Sequence, residues 1–167
     1  MTAPKLKVLI SGAGIAGPCL AYWLTKTRLH MAITIIERSP FPRVTGQSID
    51  IRGPAIEIVK AMKLEEAVRS RHTTEEGTIF LNASGNIFAQ FEAGDSFTAE
   101  YEILRGDLAG LFLEATKGLG KVQYMYGDSV ESLEQTEKGA NVTFTGDPKT
   151  HLIWSLPQTG PHRRLGR

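Results

Sequence analysis

Lys7-Val8-Leu9-Ile10-Ser11-Gly12-Ala13-Gly14-Ile15-Ala16-Gly17-Pro18 is the stretch that decides the fold. Its first half belongs to a short apolar run over Lys5 to Ser11, bulked by Leu6, Val8, Leu9 and Ile10, which reads as a buried strand. Gly12, Gly14 and Gly17 follow in the spacing G-x-G-x-x-G. From Ile15 the pattern turns helical: Ile15, Leu20, Trp23 and Leu24 recur at roughly helical spacing and the pattern ends near Thr27. Ala32 to Glu37 is a second strand, rich in β-branched residues. Strand, glycine turn, helix and strand in that order make a dinucleotide-binding βαβ unit. Gly12 allows the tight turn, Gly14 lets backbone approach a pyrophosphate, and Gly17 lets the helix pack close to the strand. The helix start, with Ile15 and Ala16, offers N–H groups and a partial positive charge to phosphate. Glu37 ends the second strand, twenty residues after Gly17, where an acid that bonds ribose hydroxyls belongs. That acid would repel a 2′-phosphate, which disfavours NADP here and leaves NAD and FAD as alternatives.

Outward from this unit, Pro40 and Pro42 force irregular backbone. Ser48 to Ile51 alternates as a short strand, Pro54 opens a helix carried on by Ile56, Ile58, Val59 and Met62, and Leu64 to Arg69 is another short helix. Thr78 to Phe91 reads as a hairpin turning at Ser84-Gly85-Asn86. Asp107 to Thr116 is an amphipathic helix carrying Leu108, Leu111, Phe112 and Ala115. Val122 to Tyr124 is a strand, and Val130 to Thr136 with Ala140 to Thr145 form a second hairpin. The fold class expected is α/β: a Rossmann-like unit with a parallel sheet and added β-hairpins.

Composition narrows the function. The chain has 167 residues, 41% hydrophobic and 22% charged, with a net charge of +1, so nothing global recruits nucleic acid or an acidic membrane surface. A single cysteine permits no intrachain disulfide, and no stretch approaches the ~20 apolar residues of a membrane span. A cytoplasmic location is expected. His30 and His72 have no partner at metal-ligand spacing, and no serine sits in a nucleophile elbow. Cys19 lies at an electropositive helix start but reads as a packed core thiol. The residues therefore indicate neither a metal site nor a catalytic side chain.

Three further segments add specificity: Gly46-Gln47-Ser48-Ile49-Asp50-Ile51-Arg52-Gly53, Glu75-Glu76-Gly77 and Ile103-Leu104-Arg105-Gly106-Asp107-Leu108. With the glycine turn, and in this order, they resemble the FAD-dependent aromatic-hydroxylase-like monooxygenases, nearest the tetracycline-inactivating and secondary-metabolism branch. The resemblance runs from about Lys5 to Thr145. It implies FAD as cofactor, NADPH as electron donor, and O₂ and a small organic substrate as reactants. It also implies cofactor-side roles for Arg38 beside Glu37, for Arg43 in NADPH handling, and for Asp50 and Arg105 in contact with FAD. In such enzymes the cofactor carries the hard chemistry, so no catalytic residue is named. The alternatives are a non-catalytic pseudoenzyme fragment or a partner-binding truncated form, and an NAD-dependent dehydrogenase.

Residues 1–146 fit the N-terminal part of that domain, and residues 147–167 do not. This tail holds three prolines and no periodicity, with Asp147 its only acid against four Lys or Arg. Suppose each codon took the third base of one residue and the first two of the next. Gln158-Thr159 would then give Asp or Asn and Thr159-Gly160 could give Gly, compatible with a strand ending in the Asp-Gly motif the resemblance leads one to expect. The expectation is therefore an incomplete domain with an out-of-frame, disordered tail, which alone binds FAD poorly and hydroxylates nothing.

Overall fold

The computed structural model describes residues 6–73, 77–92, 95, 99, 101–137 and 139–146, and the backbone of 152–155. The chain divides into two compact units, one of residues 1–42 and 112–167 and the other Arg43–Leu111. The segment Glu75-Glu76-Gly77 falls largely outside the described residues.

The first unit is built on β1 (Leu6–Ser11), α1 (Ala16–Lys26) and β2 (Met31–Glu37). β1 and β2 pair in parallel, Leu6 opposite Met31 through Ser11 opposite Ile36. In β2, Ile33, Ile35 and Ile36 are all almost fully buried, which means that both faces of the strand are covered. A strand covered on both sides must be apolar at consecutive positions, and this explains why Ile35-Ile36 does not alternate. Ala21 and Leu24 of α1 pack with Ile10, Met31, Ile33 and Ile35 on one face. Leu20 is 51% exposed and Trp23 38%, so half of the helically spaced apolar set faces outward. Only small residues, Gly17, Pro18 and Ala21, are fully buried on α1, because the helix lies too close to the sheet for larger ones.

β2 continues the sheet in parallel with β7 (Val122–Tyr126), Glu37 standing opposite Tyr126. The order β1-β2-β7 is the parallel sheet expected. A second sheet in this unit is antiparallel: β8 (Val130–Thr136), β9 (Gly139–Phe144) and β10 (Leu152–Ser155), in the order β10-β9-β8. Val142 and Phe144 of β9 pack with Ile36, Leu9, Met125 and Val130. Where the sequence leads one to expect a tail without structure, Leu152-Ile153-Trp154-Ser155 pairs with Val142 through Gly139. This corrects the expectation for those four residues: an apolar, β-prone run meets the open edge of β9. The rest of the tail lies outside the described residues.

The second unit holds β3 (Ser48–Asp50), α2 (Pro54–Ala61), α3 (Glu65–Arg69), the hairpin of β4 (Gly77–Leu81) and β5 (Ile87–Glu92), and β6 (Glu102–Leu104). The last helix, α4 (Arg105–Lys117), begins in this unit. Gly85 takes φ 79°, the positive value its turn requires. β6 was not legible in the sequence: Glu102-Ile103-Leu104 does not alternate, and it exists because it pairs antiparallel with β3. α4 starts two residues earlier than the amphipathic pattern suggests, so Arg105 is its first residue rather than a residue before it.

Candidate functional site

The glycine turn leaves β1 at Ser11. Gly12 has φ 108°, a region that L side chains rarely adopt, and its N–H donates to the Ile36 carbonyl at 2.7 Å. A Cβ placed on Gly17 would lie 2.0 Å from the Gly12 carbonyl oxygen, so the helix can approach the turn only without a side chain there. A Cβ on Gly12 or Gly14 would meet nothing within 4 Å. The turn therefore has open space above it. No side chain caps α1 and no acid lies in its first turn, which leaves its positive end for an external anion.

Glu37 does more than its position in the sequence suggested. One carboxylate oxygen accepts from the Ala13 N–H at 2.9 Å, and the other accepts from the Ser39 N–H at 3.0 Å. The side chain ties the glycine turn to the exit of β2. A carboxylate oxygen can accept more than one hydrogen bond, so these two backbone bonds do not by themselves bar a ribose hydroxyl. The Glu37 carbonyl accepts from the Asp128 N–H at 3.2 Å, joining the exit of β7 to the same place.

At these exits lies an open cleft of about 190 Å³ lined by Ser11, Gly12, Ile36, Glu37, Arg38, Asp128 and Ser129. It lies at the carboxyl ends of parallel strands, where open α/β sheets bind their ligands. Asp128 and Ser129 escaped the sequence reading. Their signal was Gly127-Asp128-Ser129 directly after the third parallel strand, recognisable only once β7 is known to neighbour β2. Asp128 accepts from the N–H groups of Ser129 and Gly146, each at 2.8 Å, and from the Thr145 hydroxyl at 2.9 Å. These bonds, that from Gly146 foremost, hold its carboxyl below the usual aspartate value.

Beside Glu37, Tyr126 stacks on Tyr124 at 5.8 Å with an interplanar angle of 9°. Its hydroxyl is buried and finds no hydrogen-bond partner among the described residues. Burial first, then Tyr124 and Glu37, push its pKa up, so it stays a neutral donor. Burial also raises the Cys19 thiol, which agrees with a packed thiol and not with a reactive one.

The other sequence candidates lie in the second unit. Asp50 ends β3 and forms an exposed ion pair with Arg52 at 2.8 Å. Arg43 is exposed in the segment before β3, and Arg105 is exposed at the start of α4. The structure thus brings Gly12, Glu37 and Arg38 around one cavity in the first unit, and holds Arg43, Asp50 and Arg105 in the second.

Glycine turn, uncapped helix start and strand-end carboxylate define an α/β nucleotide-binding protein. No protein-family model matches the chain. The FAD-dependent monooxygenase asL4 of Sarocladium schorii is 41% identical over 155 residues, covering 89% of this chain and 35% of that protein. The flavin-dependent monooxygenase eupH of a Phoma species is 38% identical over 139 residues, covering 80% and 32%. Among solved structures, the tetracycline destructase Tet(51) superposes with a TM-score of 0.73 at 30% identity, over 93% of this chain and 39% of that one. Over the matched length, the chain belongs to the FAD-dependent monooxygenase family. It spans 32% to 39% of the length of these relatives.

Proposed function

We propose that this chain is the FAD-binding N-terminal part of a flavin-dependent monooxygenase that draws electrons from NAD(P)H, with NADPH the expected donor, and oxygenates a small organic substrate of secondary metabolism. One observation carries the reading: the open glycine turn is latched by Glu37 to the carboxyl end of β2, beside a cavity at the adjoining strand ends. The residues present fit the cofactor. The N–H groups around Gly14, Ile15 and Ala16 hold the pyrophosphate, with the start of α1 favouring its charge. Glu37 accepts from the ribose hydroxyls while keeping its two backbone bonds. Arg38 contributes a cation at the cavity wall, and the family resemblance gives Arg105 and Asp50 contacts with FAD. Arg43 serves the phosphates of the pyridine nucleotide.

The flavin, when bound, supplies the redox chemistry: a hydride comes from NADPH, and of the two atoms of O₂ one enters the substrate and one leaves as water. The protein's part is binding, orientation and exclusion of water. No side chain has to act as nucleophile.

The test is a titration of the purified chain with FAD, followed by flavin fluorescence and the absorbance band of bound flavin. Saturable binding that Glu37→Ala weakens supports the reading. Tight NADH binding with no affinity for flavin would instead favour a dehydrogenase.

A further inference from the structure

The stacked tyrosines of β7 are anchored at the far end of the sheet face by a buried threonine. Thr116, in the last turn of α4, is fully buried. Its Oγ1 lies 3.0 Å from the Phe112 carbonyl oxygen, 3.0 Å from that of Leu113 and 2.5 Å from the Tyr124 hydroxyl. A threonine hydroxyl carries one proton, and carbonyl oxygens can only accept. That proton goes to the helix, so the Tyr124 hydroxyl donates to Thr116. Burial raises the Tyr124 pKa, which keeps the proton available. The Tyr124 ring packs on the cluster of Ile10, Ala21, Ile33 and Ile35. Tyr126 is held differently. Its buried hydroxyl has no partner among the described residues, so no polar anchor of its own orients the ring; the stack on Tyr124 does. Tyr126 stands directly opposite Glu37 in the parallel register. The two side chains therefore leave neighbouring strands on the same face, with the strands about 4.8 Å apart. All of these residues belong to the first unit.

We infer that Thr116 is a positioning residue: through Tyr124 and the ring stacked on it, Tyr126, it fixes the Glu37 carboxylate on the glycine turn and so sets how that carboxylate meets a nucleotide ribose. Without the threonine oxygen, Tyr124 keeps a buried donor and no acceptor, which is costly where water is excluded. The ring then turns to find another partner, the stack moves with it, and Glu37 loses the side chain opposite it. A binding side chain holds its geometry only where its neighbours are themselves locked by packing and hydrogen bonds. Glu37 is latched in front by the Ala13 and Ser39 N–H groups, and the tyrosine pair supports it from behind. The inference rests on the functional reading above for the ribose, but not for the link from Thr116 to Glu37.

The experiment compares wild type with Thr116→Val, Thr116→Ser and the double variant Thr116→Val/Tyr124→Phe. The first readout needs no cofactor: hydrogen exchange of the Ala13 amide, which Glu37 latches, relative to the Ile33 amide, which donates to the Lys121 carbonyl within the sheet. Thr116→Val should quicken Ala13 relative to Ile33 about tenfold, since opening of the latch exposes that amide alone. Thr116→Ser keeps the acceptor and should exchange as wild type does. So should the double variant, in which neither side chain leaves a donor unpaired. An unchanged ratio in Thr116→Val, including an equal rise at both amides from general destabilisation, overturns the proposal. The second readout is FAD affinity by flavin fluorescence, in a cycle with Glu37→Ala. Thr116→Val should weaken binding about tenfold when Glu37 is present and no further when it is absent. Equal losses in both backgrounds, or no loss in either, overturn the link to Glu37. If Thr116→Val loses its far-UV circular dichroism, Tyr126→Leu, which removes the ring opposite Glu37, decides by the same two readouts. A wild-type chain that binds no FAD overturns the functional reading and the ribose role with it, while the exchange arm still decides whether Thr116 holds the latch.

Discussion

Gly14 and Gly17 differ by three positions in the chain and by opposite demands in space. A methyl group on Gly17 would press into the Gly12 carbonyl at 2.0 Å, whereas one on Gly14 would project into open space. Gly17→Ala should therefore lower stability by about 1–3 kcal/mol through overpacking, seen as a fall in melting temperature. Gly14→Ala should melt as wild type does and lose FAD affinity, because its methyl would occupy the space we propose for the pyrophosphate. Equal melting temperatures for the two variants would contradict the geometry. Glu37 has both kinds of duty. Glu37→Ala removes the latch to Ala13 and Ser39 together with the ribose acceptor we propose. Hydrogen bonds to a charged group contribute about 1.5–3 kcal/mol, so FAD affinity should drop roughly tenfold to a hundredfold, measurable by fluorescence titration. These residues were legible because their spacing is local: the turn, the helix start and the strand end all lie within one supersecondary unit. The latch itself was not, since no spacing rule says that a ribose acid also accepts from the turn it faces.

At the scale of elements, Asp128 fastens the exit of β7 to the end of β9 through Thr145 and Gly146. Its carboxyl titrates below the ordinary value of 3.8 because those donors favour the charged form. A carboxyl with a lowered folded-state pKa adds stability above its unfolded value, and that stability is lost as pH falls through the folded value. Asp128→Asn should thus lower the melting temperature at pH 7, and the gap to wild type should close as pH falls below about 4. A gap of constant size from pH 7 to pH 3 would rule out the charge as its source. Most elements were legible. β2 announces itself by its β-branched run, and the Gly85 hairpin by its turn chemistry. β6 and β10 were not, because Glu102-Ile103-Leu104 and Leu152-Ile153-Trp154-Ser155 do not alternate as β3 does, and pairing alone makes them strands.

Across the whole molecule, much apolar surface stays in contact with solvent. Phe41 is 73% exposed, Phe88 68% and Leu133 63%. An apolar groove of Leu9, Val130, Leu133, Ala140 and Val142 lies along β1, and no strand among the described residues pairs with the β1 edge away from β2. Exposed apolar patches and open edges favour association. The purified 167-residue polypeptide should therefore self-associate with rising concentration in sedimentation velocity, and bind FAD less tightly than full-length asL4 in parallel titrations. A monodisperse monomer at high concentration would contradict this. The βαβ unit, the glycine turn and the strand-end acid follow from residues close together in the chain, because the covalent backbone sets their spacing. That β7 lies beside β2, that Asp128 and Ser129 therefore line the cleft, and that Glu37 latches the turn come from the folded chain alone. Those facts depend on which strands share an edge, and edge sharing is settled by packing between residues far apart in the chain.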